Sequence, residues 1–367
     1  CGAVRNCSRS SFMDHRRCRM REQIHGGDVY RHPGVLDFSS NMNPLGTPDA
    51  VLKAAREGVG KIENYPDVRQ SRLKAALSAY EQIPQEKLIC GNGAAELIFM
   101  LAQALRPVRA VVLAPTFAEY ELALRSVGCK VDHVKLEAAQ GFTLANADSL
   151  CTVIDDTMDL VCLCNPNNPT GSLIEREMIL EILEHCKACG TRVLLDECFN
   201  DFIEEPQRYT LKSDLKAYPN LFLLKAFTKR YSMAGIRLGY GMCWDEELLE
   251  RMRSCVQPWN LSIPAQEAGI AALQEEAYVE QARELVAAER RWMKEALKKL
   301  GFTVYDSRAN YIFFRGPKHL VEHCLKQQIL IRDCSNYEGL ESGYYRVAVK
   351  LHEQNEKLIE VLEEVLS

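Results

Sequence analysis

Residues 225–240 read KAFTKRYSMAGIRLGY, directly after the strand-like run Leu221–Leu224. Lys229 stands eight residues ahead of Arg237, with Ser232, Ala234 and Gly235 between them. A lysine just past the end of a buried strand, in a glycine-bearing loop with an arginine close behind, suits an amine that forms an imine beside a bound phosphate. That is the outline of a pyridoxal phosphate (PLP) site. A solvated Lys/Arg surface loop would carry the same residues, so the neighbouring sequence has to decide.

On either side of this stretch, short apolar runs recur at Lys87–Cys90, Ala110–Ala114, Lys130–Lys135, Leu160–Cys164, Arg192–Leu195 and Leu238–Met242. Helical patterns at Ala94–Leu105, Ala118–Val127 and Glu175–Cys189 separate several of them. Strands apolar on both sides and divided by helices predict an α/β fold whose mostly parallel sheet is covered on both faces, with ligands beyond the carboxyl ends of the strands. Upstream, HGGDVYRHPGVLDFSSNMNPLGTP (residues 25–48) is dense in Gly, Pro and Asn and reads as an irregular arm with one strand, Leu36–Ser39. Helices are expected from Thr47 to Gly58 and from Val68 to Gln82. Downstream, a long helical stretch over Pro264–Leu300 leads to strands at Phe302–Tyr305, Tyr311–Arg315, Ile329–Arg332 and Tyr344–Val349. Helices over Pro317–Gln328 and from Glu353 complete a small α+β domain.

A chain of 367 residues exceeds what one hydrophobic core usually supports. The expected division is an arm over 23–50 that serves the small domain and the active site, a large PLP-binding domain over 51–263 and a small C-terminal domain over 264–367. Residues 1–22, with six arginines, three cysteines and no periodicity, read as a disordered extension or as sequence ahead of a start at Met13 or Met20. Arg and Ser enrichment there resembles a transit peptide, but Asp14, Glu22 and the lack of amphipathic spacing oppose it.

The net charge of −5 gives no global attraction to nucleic acid or membrane, and no apolar run has the length of a membrane span. A cytoplasmic protein is expected. Most of the fifteen cysteines sit in apolar runs such as VCLCNP and LICGNG, where a reduced thiol packs as a small hydrophobe. An odd count in a chain this long argues against a disulfide framework. Cys186 and Cys189 form a lone CxxC, and His319 and His323 share i, i+4 spacing without a third ligand, so no metal site is expected.

The chemistry-bearing motifs fall at strand ends. In Gly91-Asn92-Gly93-Ala94-Ala95-Glu96 the glycines permit a tight turn, and the first amides of the following helix are free donors at its positive end. The motif therefore suits a phosphate, or is a plain strand-to-helix connection. Asn165-Pro-Asn-Asn-Pro-Thr-Gly171 is more specific: prolines and a glycine fix the backbone, holding Asn168 towards a ligand. A purely structural turn has no evident need of three asparagines. Asp196, ending RVLLDE, puts a carboxylate where desolvation demands a cation; a protonated pyridine nitrogen is one, and a helix N-cap is the other reading. Phe117 in PTFAEY is placed to lie flat on an aromatic ring or to pack in the core. Arg346 in YYRVAV and Arg332 after Ile329-Leu-Ile are planar forks suited to carboxylate or phosphate, or to structural ion pairs.

Taken in order, GNGAAE, PTFAEY, NPNNPTG, LLDE, TK with GIRLGY, and YYRVAV resemble the fold-type I PLP enzymes of the histidinol-phosphate aminotransferase group. Within it, HGGDVY, LDFSSNMNPLG, ENYPD, ILIRDCSNYEGL and YYRVAVK resemble the threonine-phosphate decarboxylases. The resemblance runs from His25 to the C-terminus. It implies a fold-type I PLP-dependent transferase-like fold, PLP as cofactor, a phosphorylated amino acid as substrate and a homodimer. Lys229 is implied as the Schiff-base lysine, Asp196 on the pyridine nitrogen, Asn168 on the ring hydroxyl and Phe117 stacked on the ring. Gly93, Ala94, Ala95, Thr228 and Arg237 would cradle the cofactor phosphate, and Tyr65 would reach across the dimer interface. Arg346 is implied for the substrate carboxylate, with Arg332 and His25 as candidates for its phosphate.

Two departures stand out. Phe199 occupies the place of a tyrosine that donates to the ring hydroxyl in the aminotransferases, which favours decarboxylation. Ala226 replaces a residue that often gives the cofactor phosphate a hydroxyl. Transamination with 2-oxoglutarate, decarboxylation of serine phosphate and a non-catalytic PLP-binding regulator are the alternatives.

Overall fold

The computed structural model describes residues 25–366; the expected extension over 1–22 lies outside the described residues. Seven strands form the main sheet: β2 (Leu88–Gly91), β3 (Arg109–Ala114), β4 (Lys130–Lys135), β5 (Leu160–Cys164), β6 (Arg192–Asp196), β7 (Leu221–Ala226) and β8 (Gly239–Cys243), after a short β1 (Leu36–Asp37) in the arm. Their order is β2-β8-β7-β6-β5-β3-β4, and only β8 runs antiparallel to its neighbours. Successive residues of the central strands join opposite cores. Val112, Cys162, Leu194 and Phe222 pack on one side, and Val111, Val161, Val193 and Leu223 on the other. This two-sided burial is why the strands read as continuous apolar runs.

The chain passes from β3 outward to β4 and then returns to the other side of β3 as β5, so a crevice opens beyond the carboxyl ends of β3 and β5. Because β8 is antiparallel, its first residue, Gly239, lies between Gly91 and Ala226 at the same end of the sheet.

A second sheet, all antiparallel, follows as β9 (Thr303–Val304), β10 (Tyr311–Arg315), β12 (Arg332–Asp333) and β13 (Tyr344–Ala348), in the order β12-β13-β10-β9. The expected strand Ile329–Arg332 is divided. Ile329–Leu330 is β11, which pairs in parallel with β1 of the arm, and after Ile331 the chain turns into β12. The arm is thus stitched to the C-terminal part: Phe38 N–H donates to the Leu330 carbonyl, and Ala348 N–H to the Phe38 carbonyl. Farther along, Asn43 N–H donates to the Lys229 carbonyl at 3.1 Å and Asn43 Nδ2 to the Arg230 carbonyl at 2.8 Å.

Three other expectations change. The helical stretch over 264–300 is two helices, Ile263–Ala272 and Glu276–Lys299. Ser262 caps the first, its Oγ accepting from Ala265 N–H, and the amides of Gln274 and Glu275 close it with tightened i→i−3 bonds. The helix expected over 317–328 spans only Leu320–Lys326. His319 precedes it in the left-handed region (φ +69°), so His319 and His323 share no helix face. A helix over Glu246–Ser254, not foreseen, is capped by Asp245, whose Oδ1 accepts from Leu248 N–H. Among the described residues no helix is long and apolar enough to cross a membrane, no three His, Cys, Asp or Glu side chains group to hold a metal, and all twelve cysteines are free.

Candidate active site

A cavity of about 270 Å³ lies where the strand ends meet the arm and the second sheet. Lys229, Asp196, Asn168, Phe117, Thr228, Arg237, Ala94, Ala95, His25, Arg332 and Arg346 all line it. Tyr65 does not. It is 78% exposed and stacked on Trp259 at 4.5 Å.

The helix Ala94–Leu105 enters the cavity with Gly93 at its N-cap and no side-chain cap, so its first amides remain free to meet an anion. Two glycines make the approach possible. Gly93 adopts φ +84°, and a Cβ there would lie 2.5 Å from an Arg237 guanidinium nitrogen; a Cβ on Gly239 would lie 2.6 Å from the Ala94 nitrogen. The cradle of amides, Thr228 and Arg237 fits a phosphate monoester.

In the Asn165–Gly171 turn, two of the three asparagines are spent on the turn itself. Asn165 exchanges hydrogen bonds with the backbone of Ile174, and Asn167 Nδ2 donates to the Pro115 carbonyl and Thr170 Oγ1. The expectation that a structural turn has no need of them holds only for Asn168. Its Oδ1 accepts from Arg346 Nη1, leaving the amide NH₂ as its donor towards the cavity.

Asp196 is 4% exposed, and its carboxylate faces no cation among the described residues. It accepts from the Tyr120 hydroxyl at 2.6 Å and from Cys198 N–H at 2.8 Å, and burial raises its pKa above the ordinary carboxylate range. Neighbouring Glu197, by contrast, has Lys225 Nζ at 3.4 Å. A buried carboxylate lacking its cation fits a protonated pyridine. Lys229 sits on a single helical turn, Phe227–Arg230, after β7. Burial first, then the Arg346 charge, push its ammonium down to about 8.

Arg332 and Arg346 are paired directly across β12 and β13, both buried. Arg332 donates to Asn336 Oδ1 at 2.8 Å and lies over the Tyr337 ring; Arg346 donates to the Ser39 carbonyl at 2.7 Å and to Asn168, and its Nε is buried without a partner. Neither meets a carboxylate among the described residues. His25 stands at the rim, with its Nε2 3.5 Å from Glu119 Oε1. Phe199 and Ala226 also line the cavity, Phe199 edge-on to Tyr311.

The family model for aminotransferase class I and II matches residues 33–362. The chain belongs to the aminotransferase class I and II family. The cofactor of this aminotransferase family is PLP, in agreement with the cradle, the cation-poor Asp196 and the depressed Lys229. The chain is 38% identical to threonine-phosphate decarboxylase of Salmonella typhimurium over 355 residues, covering 94% of this chain and 96% of that protein. Among solved structures it matches histidinol-phosphate aminotransferase from Clostridium acetobutylicum with a TM-score of 0.84 and 32% identity, over 90% of this chain and 99% of that one. It matches L-threonine-O-3-phosphate decarboxylase from Porphyromonas gingivalis with a TM-score of 0.80 and 27% identity, over 90% and 98%.

Sequence reasoning left several cavity residues without a role: Ser39, Ser40 and Asn41 of the arm, Cys164, Cys198, Asn336 and Tyr337, with Tyr120 just behind the wall. Tyr120 was recoverable from PTFAEY, since three residues after Phe117 is one helical turn on.

Proposed function

We propose that this chain is a PLP-dependent carboxy-lyase that converts L-threonine O-3-phosphate to (R)-1-amino-2-propanol phosphate for the cobalamin nucleotide loop. The observation that carries the reading is the pair Arg332 and Arg346, buried in register on adjacent strands with no carboxylate partner among the described residues. Like charges directly opposed across a sheet are destabilising, so the pair calls for a substrate with two anionic groups. Threonine phosphate supplies a carboxylate for Arg346 and a phosphate for Arg332, with His25 beside it. The two threonine-phosphate decarboxylases named above support the same chemistry, whereas the histidinol-phosphate aminotransferase supports the shared fold.

Bound PLP supplies a sink for the electron pair released when a bond to the substrate α-carbon breaks. Asp196 would hold positive charge on the ring, Asn168 would donate to its oxygen, and Phe117 would cover it. Ala94, Ala95, Thr228 and Arg237 hold the phosphate, with Gly93 leaving room for Arg237. Arg346 would hold the substrate carboxylate and so favour loss of CO₂ over loss of the α-hydrogen, and Lys229 Nζ or a water would return a proton to the α-carbon. Phe199, which has no hydroxyl, supports this over transamination.

The separate seven- and four-stranded sheets, with the β1–β11 pair between arm and C-terminal part, support the division into a large PLP-binding domain over 51–263 and a small domain over 264–367 with the arm over 23–50. Exposed Val59, Ile62, Tyr65 and Trp259 support a homodimer in which Tyr65 reaches the partner subunit's cavity. The twelve free cysteines among the described residues support a cytoplasmic location.

The test is turnover of threonine phosphate by the PLP-loaded enzyme with no oxo-acid present. Steady multiple-turnover CO₂ release is expected, and Lys229→Ala abolishes it. A requirement for 2-oxoglutarate would move the assignment to an aminotransferase, and faster release from serine phosphate would change the substrate.

A further inference from the structure

The buried carboxylates among the described residues are not treated alike. Lys225 Nζ is 3.4 Å from Glu197 Oε2 and Lys212 Nζ 3.0 Å from Glu81 Oε2, and the partly buried Asp201 has Arg230 Nη1 3.5 Å from its Oδ1. Asp196 is the exception. Its nearest titratable neighbours are the Tyr120 phenol and the thiols of Cys164 and Cys198, all neutral. Both of its oxygens are engaged, Oδ2 by the Tyr120 hydroxyl at 2.6 Å and Oδ1 by Cys198 N–H at 2.8 Å.

Tyr120 is fully buried in the first turn of the helix Ala118–Ser126. Its ring meets that of Phe117 edge-on at 5.5 Å, so one helical turn carries both the aromatic face of the cavity and the donor that grips Asp196. A bond of 2.6 Å from a hydroxyl to a carboxylate is in the charge-assisted range, and such a donor lowers the carboxylate's affinity for a proton.

A carboxylate facing a pyridine nitrogen shares one proton with it. Where that proton rests depends on the balance of the two affinities, and the ring withdraws electrons strongly only while it holds the proton. We propose that Tyr120 is a positioning residue whose bond to Asp196 Oδ2 keeps the shared proton on the ring nitrogen, and so sets the strength of the electron sink. Without the hydroxyl, the same proton moves towards Asp196 Oδ2; none is gained or lost. The inference rests on the PLP reading of the cavity and deepens it, since it assigns the control of the sink to a residue that does not line the cavity.

The test uses enzyme loaded with PLP labelled with nitrogen-15 in the ring, and reads the ring-nitrogen chemical shift. The wild type is expected at the protonated position. Tyr120→Phe moves the proton-sharing equilibrium towards Asp196 by about ten- to a hundredfold, the equivalent of losing one bond to a charged group, and displaces the shift towards the unprotonated position. 4-Aminophenylalanine at position 120 keeps the shape with a weaker donor and falls between the two; it also decides the matter if the Phe variant does not fold. A ring-nitrogen shift equal to wild type in the variants that bind PLP overturns the role of Tyr120. A wild type that binds no PLP overturns the cofactor reading instead, so the two failures are distinguishable.

Discussion

Lys229 in the cofactor-free protein offers the sharpest test of how the site is built. Burial and the Arg346 guanidinium hold its ammonium at about 8, against 10.5 for an unperturbed lysine. At about pH 7.5 that value leaves ~25% of the amine neutral, where an ordinary lysine has ~0.1%, so the nucleophile is roughly 250-fold more abundant. The sign follows from the direction of the shift: a lowered value favours the neutral amine, so reactivity rises with pH through about 8 and is flat above it. Replacing Arg346 by Met removes the neighbouring charge and moves the midpoint upward, though not to 10.5, because burial, the larger cause, remains. The assay is the rate of imine formation with pyridoxal, which lacks the phosphate and so reports on the amine rather than the cradle, followed by stopped-flow absorbance across pH. A wild-type midpoint near that of free lysine would refute the burial argument. An unmoved midpoint in a folded Arg346→Met protein would refute the coupling between the two residues.

Further outcomes follow from the same geometry. Gly239→Ala puts a Cβ 2.6 Å from the Ala94 nitrogen, against backbone that has to move, and is expected to weaken PLP binding at least about tenfold by equilibrium titration without unfolding the protein. Asp196→Ala removes the carboxylate that would hold a proton on the ring nitrogen, and the loss of that one charged hydrogen bond should cost about 1.5–3 kcal/mol of cofactor affinity, read as the PLP dissociation constant. Arg346→Lys keeps the charge but loses the planar fork, so KM for threonine phosphate should rise about tenfold or more while PLP binding is retained. Arg230→Met strands the partly buried Asp201 carboxylate and the Tyr80 hydroxyl, and urea denaturation should show a loss of about 3 kcal/mol.

The sheet was legible because its strands are buried on both faces, and an apolar run such as LVCLC (160–164) has few other fates. That Lys229 and Asp196 meet in one cavity was legible because each ends or follows such a run. Short-range chemistry was harder to read. Nothing local distinguishes Asn168 from Asn165 and Asn167, since the difference lies in partners as distant as Pro115 and Arg346. The division of Ile329–Arg332 depends on the arm, almost three hundred residues earlier in the chain, which takes β11 and leaves β12 to the second sheet. The break at Leu273–Glu275 was masked because the residues on both sides favour helix.

The stitching of the arm also fixes when the cavity can come into being. Strand β1 emerges early in synthesis, but its partner β11 is made about 290 residues later, and Ala348, which donates to Phe38, later still. Until then Ser39, Ser40 and Asn41 have nowhere to dock, and Arg346, which is to hold Ser39, does not exist. The large sheet can form while the chain is still growing, but the substrate side of the pocket closes only once the C-terminal strands arrive, as the slow, long-range step of folding. A nascent or truncated chain would therefore carry Lys229, Gly93 and Arg237 without Arg332 and Arg346 across from them.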